Sequence, residues 1–249
     1  MKKHIETKIE GNILRGYFET PDDGKSNYPL IVLFHGFTGD CTENLFMFAR
    51  LAGQLKNKGI ATLRLSFPGS GESDGDFSYV SCKTWGETAK KIFEFAKALP
   101  NIDLSRIGIL GLSMGGAAAT IAAEELKKDF KLLILIAPAY RYAVKYQEEF
   151  SDPETETAYK GNLAIKRHFI DDEKTANYVN ILKQMVCPVR FIHGTGDTSV
   201  PFSVSELYSK YPKDSVLVPI ANATHAFDDP KSFNALVDEV LRAASILID

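Results

Sequence analysis

A serine in a glycine-rich turn is the strongest chemical signal in the sequence. Ser113 lies in the string Gly-Leu-Ser-Met-Gly at residues 111–115, between a predicted strand and a predicted helix. Such a turn strains the serine backbone, and the flanking glycines allow the strand and the helix to approach closely. The hydroxyl then projects at a helix N-terminus, which favours developing negative charge. The pattern predicts a nucleophilic serine, and the alternative is a serine that only caps the helix.

A serine nucleophile needs a base, and the base needs an acid to orient it. His225 follows the last predicted strand, so a loop can bring its ring to the sheet edge that carries Ser113. Asp197 lies in a glycine-bracketed turn after an earlier strand, at the carboxyl edge where open α/β sheets place their sites. We therefore expect Asp197 to orient His225. Asp228 and Asp229 remain alternative acids, and a helix cap is the alternative role for Asp197.

Three further histidines have structural interpretations. We interpret His193 as a structural residue at a strand end and His168 as a solvated side chain. His35 directly follows the buried strand predicted at residues 30–34. Because His35 precedes Ser113 in the chain, the order is wrong for the base, and we expect His35 to brace its loop by hydrogen bonds.

Acyl transfer also needs hydrogen-bond donors for the tetrahedral oxyanion, each lowering the barrier by roughly 3 kcal/mol. The backbone N–H of Met114, next to the serine, is one candidate for this oxyanion hole. The second is the N–H of Phe37 in the string His-Gly-Phe-Thr-Gly at residues 35–39. Small Gly36 allows this loop to turn back toward the serine.

Another glycine-rich stretch, at residues 66–75, has a different interpretation. It resembles a phosphate-binding loop only in composition. It has neither the Gly-Lys-Ser/Thr ending nor the three-glycine spacing of nucleotide-binding loops. We interpret it as a tight polar connection from a strand to a helix beside the site.

Strand-like and helix-like segments alternate along the chain. After a hairpin at residues 4–9 and 13–19, strands are predicted at 30–34, 60–67, 106–110, 132–137, 189–193 and 215–220, and helices at 45–55, 85–99, 117–126, 204–211 and 233–248. This alternation predicts the α/β class, with a mainly parallel central sheet and helices on both faces. Residues 139–184 are highly charged and show no clear strand, so we expect an inserted helical lid within a single domain spanning 1–249.

Composition excludes several classes of protein. The chain has 249 residues, of which 45% are apolar and 24% charged, with a net charge of −3, so nucleic acid is not expected as a partner. No apolar run approaches the roughly 20 residues of a membrane span, and no signal peptide is expected. Three widely spaced cysteines are typical of free thiols in a reducing cytosol, and we expect a cytoplasmic protein with no metal site.

The motifs resemble those of the α/β-hydrolase superfamily over nearly the whole chain. The matching strings fall, in the expected order, at residues 35–39, 68–73, 111–116, 194–198 and 223–225. Within the superfamily, the compact size, the Gly-Phe-Thr-Gly loop and the Ser-Met-Gly-Gly turn are similar to those of bacterial cinnamoyl or feruloyl esterases and of acylglycerol lipases. The resemblance implies an α/β-hydrolase fold, no cofactor, and a lid over the acyl pocket at residues 139–184.

The leading hypothesis is a serine carboxylesterase that acts on small-molecule esters, with cinnamoyl or feruloyl esters as one candidate class. Ser113, His225 and Asp197 form its catalytic triad, and the amides of Phe37 and Met114 bind the oxyanion. The alternatives are an acylglycerol lipase, a peptidase or thioesterase with the same triad, and a non-catalytic binding protein on the same fold. A homodimer is left open.

Overall fold

The computed structural model, which describes residues 1–248, has an eight-stranded sheet at its centre. The strands are β1 (Lys2–Ile9), β2 (Asn12–Glu19), β3 (Tyr28–Phe34), β4 (Ala61–Leu65), β5 (Ile102–Leu112), β6 (Leu132–Ile136), β7 (Thr157–Lys160), β8 (Leu163–Lys166), β9 (Val189–Gly194) and β10 (Ser215–Ile220). The order across the main sheet is β1-β2-β4-β3-β5-β6-β9-β10. The hairpin β1–β2 is antiparallel and β2 joins β4 antiparallel, whereas the six strands from β4 to β10 run parallel. The predicted α/β class is confirmed.

Helices cover both faces of this sheet. They are α1 (Met47–Asn57), α2 (Cys82–Lys97), α3 (Met114–Leu126), α4 (His168–Thr175), α5 (Tyr178–Lys183), α6 (Phe202–Tyr208) and α7 (Pro230–Ala244). Successive side chains of a strand point to opposite faces, so Val32 joins the core with α2 and α3 while Ile31 and Leu33 join the core with α1 and α7. Burial of β3 on both faces accounts for its unbroken apolar sequence.

The segment between β6 and β9 contains more regular structure than the sequence predicts. The expectation that it lacks a strand is wrong, because β7 and β8 pair as a small antiparallel hairpin. Each strand has only four residues, too few to show a clear alternation of polar and apolar residues. Strand β8 also packs against the turn Phe77–Tyr79, and such a long-range contact has no local sequence signal. Helices α4 and α5 complete the segment.

Two boundaries near the predicted site also differ from expectation. Helix α1 starts at Met47, after the 3-10 turn Asn44–Phe46. Leu45, predicted to lie on the buried face of that helix, is instead 53% exposed, because its left-handed backbone breaks the helical periodicity. Helix α3 starts at Met114, directly after Ser113 and earlier than predicted. No helix within residues 1–248 is long and apolar enough to cross a membrane.

Candidate active site

Ser113 sits at the turn between β5 and α3. Its backbone has φ 54° and ψ −122°, a region that side-chain-bearing residues rarely occupy. The neighbouring glycines are required by close packing, since a Cβ on Gly115 would lie 2.1 Å from the carbonyl oxygen of Phe34. A Cβ on Gly111 would lie 2.4 Å from the carbonyl oxygen of Gly115. The spacing of small residues around the serine therefore has a steric cause.

The structure brings Ser113, His225 and Asp197 together in a hydrogen-bonded chain. His225, in the loop after β10, has its Nε2 atom 3.0 Å from Ser113 Oγ. Its Nδ1 atom is 2.6 Å from Oδ2 of Asp197, in the turn after β9. Because an ionised carboxylate only accepts hydrogen bonds, Nδ1–H donates to Asp197 and Nε2 is left to accept the serine proton. The arrangement allows Ser113 to transfer its proton to His225.

The carboxylate of Asp197 is buried and has several donors. Its Oδ1 atom accepts the N–H groups of Ser199 and Val200, both at 2.8 Å. Its Oδ2 atom accepts from His225 and also from His193 Nε2, at 3.2 Å. Burial alone would raise the pKa of Asp197, but the hydrogen bonds from the two histidines outweigh it and hold the pKa below its usual range. Asp197 is therefore ionised at neutral pH.

The contact between His193 and Asp197 was not anticipated from the sequence. His193 is fully buried, as expected of a structural histidine, and its Nδ1 atom lies 2.7 Å from Ser205 Oγ. Its Nε2 atom lies 3.0 Å from the carbonyl oxygen of Val200 as well as near Asp197. The sequence signal for this contact is the spacing of four residues between His193 and Asp197 across a glycine-rich turn. His193 helps to fix the orientation of Asp197.

The two alternative acids occupy other positions. Asp229 caps α7 by accepting the N–H groups of Lys231 and Ser232. Asp228 accepts the hydroxyl of Thr224 at 2.8 Å. Within residues 1–248, neither carboxylate forms a hydrogen bond to His225. Helix α6 has no side-chain cap among the described residues, so Asp197 does not cap it.

The two candidate oxyanion donors flank the serine. Met114 is the first residue of α3, where a helix leaves its N–H without an internal acceptor. Within the described part of the chain, the N–H of Phe37 also has no acceptor. Its neighbour Gly36 is so close to the serine that a Cβ there would lie 3.2 Å from Ser113 Cβ. Gly36, Phe37, Ser113 and His225 line a cavity of about 470 Å³.

Two side chains hold the loop of residues 35–39. His35 is fully buried; its Nε2 accepts the N–H of Phe67 and its Nδ1–H donates to the carbonyl of Gly36, both at 2.9 Å. Burial lowers the pKa of His35 to about 4, so the ring is neutral. Glu43, which the sequence interpretation missed, accepts the Gly36 N–H through Oε1. Sequence offers no signal for Glu43, because nothing local indicates that its side chain folds back.

The segment between β6 and β9 packs against the same loop. The ring of Phe37 lies 5.3 Å from that of Phe169 and 5.5 Å from that of Phe77, measured between centroids. Tyr142 and Tyr146 contact it at 6.1 and 6.4 Å. We call these five residues the Phe37 aromatic cluster. Three of its members belong to residues 139–184, so this segment lies beside the cavity.

The interpretation of His168 as a solvated side chain is wrong. It is half-buried, and its ring stacks on that of Tyr79 with the centroids 5.9 Å apart. Its Nε2 atom is buried and has no hydrogen-bond partner among residues 1–248. His168 is partly covered because α4 begins at this residue and packs near the turn Phe77–Tyr79.

A serine on a strand-to-helix turn, linked through a histidine to a carboxylate at the edge of a mainly parallel sheet, defines the α/β-hydrolase class. The family model described as Hydrolase_4, serine aminopeptidase S33, matches residues 26–167, more than half of the chain. The chain belongs to this family.

Solved structures support the same assignment. Est1E from Butyrivibrio proteoclasticus, in its complex with ferulic acid, is similar with a TM-score of 0.84 and 26% identity over 97% of this chain and 99% of that chain. Alpha/beta hydrolase domain-containing protein 10 from mouse has a TM-score of 0.78 at 19% identity, over 98% and 99% of the two chains, which shows the fold alone. The protein is an α/β hydrolase that resembles feruloyl esterases.

A curated relative is less informative about activity. It is an uncharacterized 31.7 kDa protein from the traX-finO intergenic region of Escherichia coli, 25% identical over 204 residues. The match covers 81% of this chain and 65% of that protein. The chain therefore spans less than two thirds of the length of this relative.

Proposed function

We propose that the protein is a serine carboxylesterase that hydrolyses small-molecule esters through an acyl-enzyme intermediate. The observation that carries the proposal is the hydrogen-bonded chain from Ser113 Oγ through His225 to Asp197, with distances of 3.0 and 2.6 Å. A hydroxyl near its usual pKa is a poor nucleophile, and this geometry supplies the base that activates it.

In the acylation step, Ser113 Oγ attacks the ester carbonyl while its proton moves to His225 Nε2. The ionised Asp197 stabilises the imidazolium that forms. Collapse of the tetrahedral intermediate breaks the bond to the alcohol oxygen, which takes the proton from His225 and leaves. In deacylation, His225 takes a proton from water as the water oxygen attacks the acyl carbonyl. Collapse of the second tetrahedral intermediate breaks the bond between the acyl carbon and Ser113 Oγ, which takes the proton back from His225, and the carboxylic acid leaves.

We assign the oxyanion contacts to the N–H groups of Phe37 and Met114. Two features support this assignment: both donors lack an acceptor within residues 1–248, and Met114 opens α3, whose N-terminus favours negative charge. Such donors stabilise charge that exists only in the tetrahedral state, so they accelerate the chemical step.

We also propose that residues 139–184 form a lid on a single catalytic domain and help to select the acyl group. The Phe37 aromatic cluster supports this role, since Tyr142, Tyr146 and Phe169 come from the segment and contact the loop beside Ser113. Aromatic rings favour aromatic ligands through stacking. The ferulic acid in the Est1E complex makes hydroxycinnamoyl esters the first substrates to test.

Peptide or amide hydrolysis is the second candidate, because the family is described by a serine aminopeptidase. The candidates are separated by measuring kcat/KM on an ester and an anilide with the same acyl group. Methyl ferulate and a monoacylglycerol are measured in the same way. We expect kcat/KM to be larger for the ester. A value for the anilide at least as large as that for the ester would reverse the order of the two candidates.

A further inference from the structure

A half-buried carboxylate that the catalytic steps do not use lies beside the loop of residues 35–39 and lines the same cavity as Ser113. The Oε1 atom of Glu43 accepts the N–H of Gly36, and its Oε2 atom accepts the N–H of Asn44 at 3.2 Å. Its carboxylate fills the space left by Gly39, where a Cβ would lie 2.8 Å from Oε1. Glu43 therefore holds the loop of residues 35–39 in place through hydrogen bonds from backbone N–H groups to its carboxylate.

The backbone of Glu43 is itself strained. Its φ of 59° and ψ of 169° fall in a region that is essentially restricted to glycine. Such a conformation persists only where its surroundings enforce it, and strained residues cluster at functional sites. The strained backbone directs the Glu43 side chain back toward Gly36. Partial burial raises the pKa of this carboxyl.

The peptide between Gly36 and Phe37 carries the N–H that we assign to the oxyanion. The carbonyl of this peptide is fixed on one side, because Gly36 O accepts from His35 Nδ1–H at 2.9 Å and from the Gly39 N–H at 3.0 Å. In a trans peptide the N–H points away from the carbonyl. The Phe37 N–H is thus directed away from these donors.

Within residues 1–248, the hydrogen bond of the preceding peptide, between His35 and Gly36, is the one from the Gly36 N–H to Glu43. Gly36 has no side chain to restrict its dihedral angles, so its conformation depends on the hydrogen bonds of the two peptides beside it. Those bonds are the Gly36 carbonyl contacts just described and the Gly36 N–H bond to Glu43. Loss of the Glu43 bond would allow the Gly36 backbone to rotate about the remaining carbonyl contacts, and this rotation would change the direction of the Phe37 N–H.

We propose that Glu43 is a positioning residue for ester hydrolysis, whose carboxylate holds Gly36 so that the Phe37 N–H meets the oxyanion. The inference rests on the proposed function, since it needs an oxyanion to form at Ser113. Glu43 acts through a hydrogen bond to the backbone and not through its negative charge.

Three substitutions separate the hydrogen bond from the charge. In Glu43→Gln the amide oxygen still accepts from Gly36 but the charge is lost, whereas Glu43→Asp keeps the charge and withdraws it by one methylene. Glu43→Ala removes both. With p-nitrophenyl acetate we expect Glu43→Ala and Glu43→Asp to lower kcat by about 10- to 100-fold with little change in KM, because the oxyanion forms only after binding. We expect Glu43→Gln to stay within about fivefold of the wild type.

The matched control is Asp103→Ala. Asp103 accepts the N–H of Ser105 at 2.9 Å and pairs with Arg106, near the opposite end of β5 from Ser113. Its loss removes a comparable carboxylate bond, and we expect unchanged kcat and KM. Thermal unfolding of each variant checks that it is folded.

The rate at which a fluorophosphonate reacts with Ser113 distinguishes failure of the proposed function from failure of the proposed role of Glu43. If the wild type does not react, the proposed function fails. If the wild type reacts and Glu43→Ala and Glu43→Asp react equally fast, only the role of Glu43 fails. The role of Glu43 would also be overturned if kcat fell equally in Glu43→Gln and Glu43→Ala, because the negative charge would then be the cause. A change mainly in KM would overturn it as well, because contact with the substrate would then be the cause. If Glu43→Ala does not fold, the comparison of kcat between Glu43→Gln and Glu43→Asp tests the role of Glu43 by itself.

Discussion

At the level of single residues, the proposed chemistry depends on which atoms of Ser113, His225 and Asp197 carry a proton. Asp197 is ionised and has four hydrogen-bond donors, including the N–H groups of Ser199 and Val200. This network keeps the His225 Nδ1–H on the acid and leaves Nε2 toward Ser113. The wrong tautomer of His225 would present a proton to the serine and could not act as a base.

Substitutions in the three side chains are therefore expected to have unequal effects. Ser113→Ala and His225→Ala should lower kcat on p-nitrophenyl acetate by about 10⁴-fold or more, and Asp197→Asn somewhat less, with folding intact by circular dichroism. An Asp197→Asn variant with nearly full turnover would move the acid to Asp228 or Asp229.

At the level of elements, the loop of residues 35–39 contacts the proposed lid and carries one of the proposed oxyanion donors. Phe169, on α4 of the proposed lid, is 2% exposed and stacks on Phe37. The proposed lid therefore contacts the residue whose backbone N–H we assign to the oxyanion. Phe37 also lines the cavity beside Ser113, so we expect a change in its packing to affect a bulky aromatic acyl group more than an acetyl group.

We expect Phe169→Ala to change substrate preference. The ratio of kcat/KM for methyl ferulate to kcat/KM for p-nitrophenyl acetate should fall about tenfold, because Phe37 beside the cavity loses the ring that stacks on it. Phe130→Ala is the control, because Phe130 is equally buried and packs on Phe93, outside the lid and the cavity. An unchanged ratio in folded Phe169→Ala would remove the lid from substrate selection.

The loop also has a measurable effect on stability through His35. Its pKa is about 4 in the folded protein against 6.5 for an ordinary histidine. Between these values the unfolded chain binds a proton that the folded protein does not, so the free energy of unfolding falls as pH decreases from 6.5 to 4, by about 3 kcal/mol.

His35→Gln removes this titration. Urea unfolding from pH 7 to pH 4.5 should give a shallower decline for His35→Gln than for the wild type, whatever the difference in stability at pH 7. Parallel declines would show that His35 is not a buried neutral histidine.

At the level of the whole molecule, the parallel sheet brings distant parts of the chain to one edge. Ser113 follows β5, Asp197 follows β9 and His225 follows β10. Parallel strands all end at the same edge, so the three loops meet there although β6 separates β5 from β9 in the sheet. The site is a consequence of topology as much as of the individual residues.

The sequence predicts those features that have a local cause. The turn at Ser113 is visible because its steric demands select glycine at residues 111 and 115, and the buried strands are visible from their apolar runs. The β7–β8 hairpin, the half-buried His168 and the support by Glu43 have no such signal. Each is fixed by packing or hydrogen bonds between segments, and sequence patterns do not record these contacts.

The central claim is that Ser113 becomes covalently acylated, and mass spectrometry tests it most directly. The protein is reacted with a p-nitrophenyl ester, quenched in acid within milliseconds and digested, and each peptide is weighed. We predict that the peptide containing Ser113 gains the mass of the acyl group, and that Ser113→Ala gains none. Turnover with no adduct on that peptide, or with an adduct on another residue, would contradict the account.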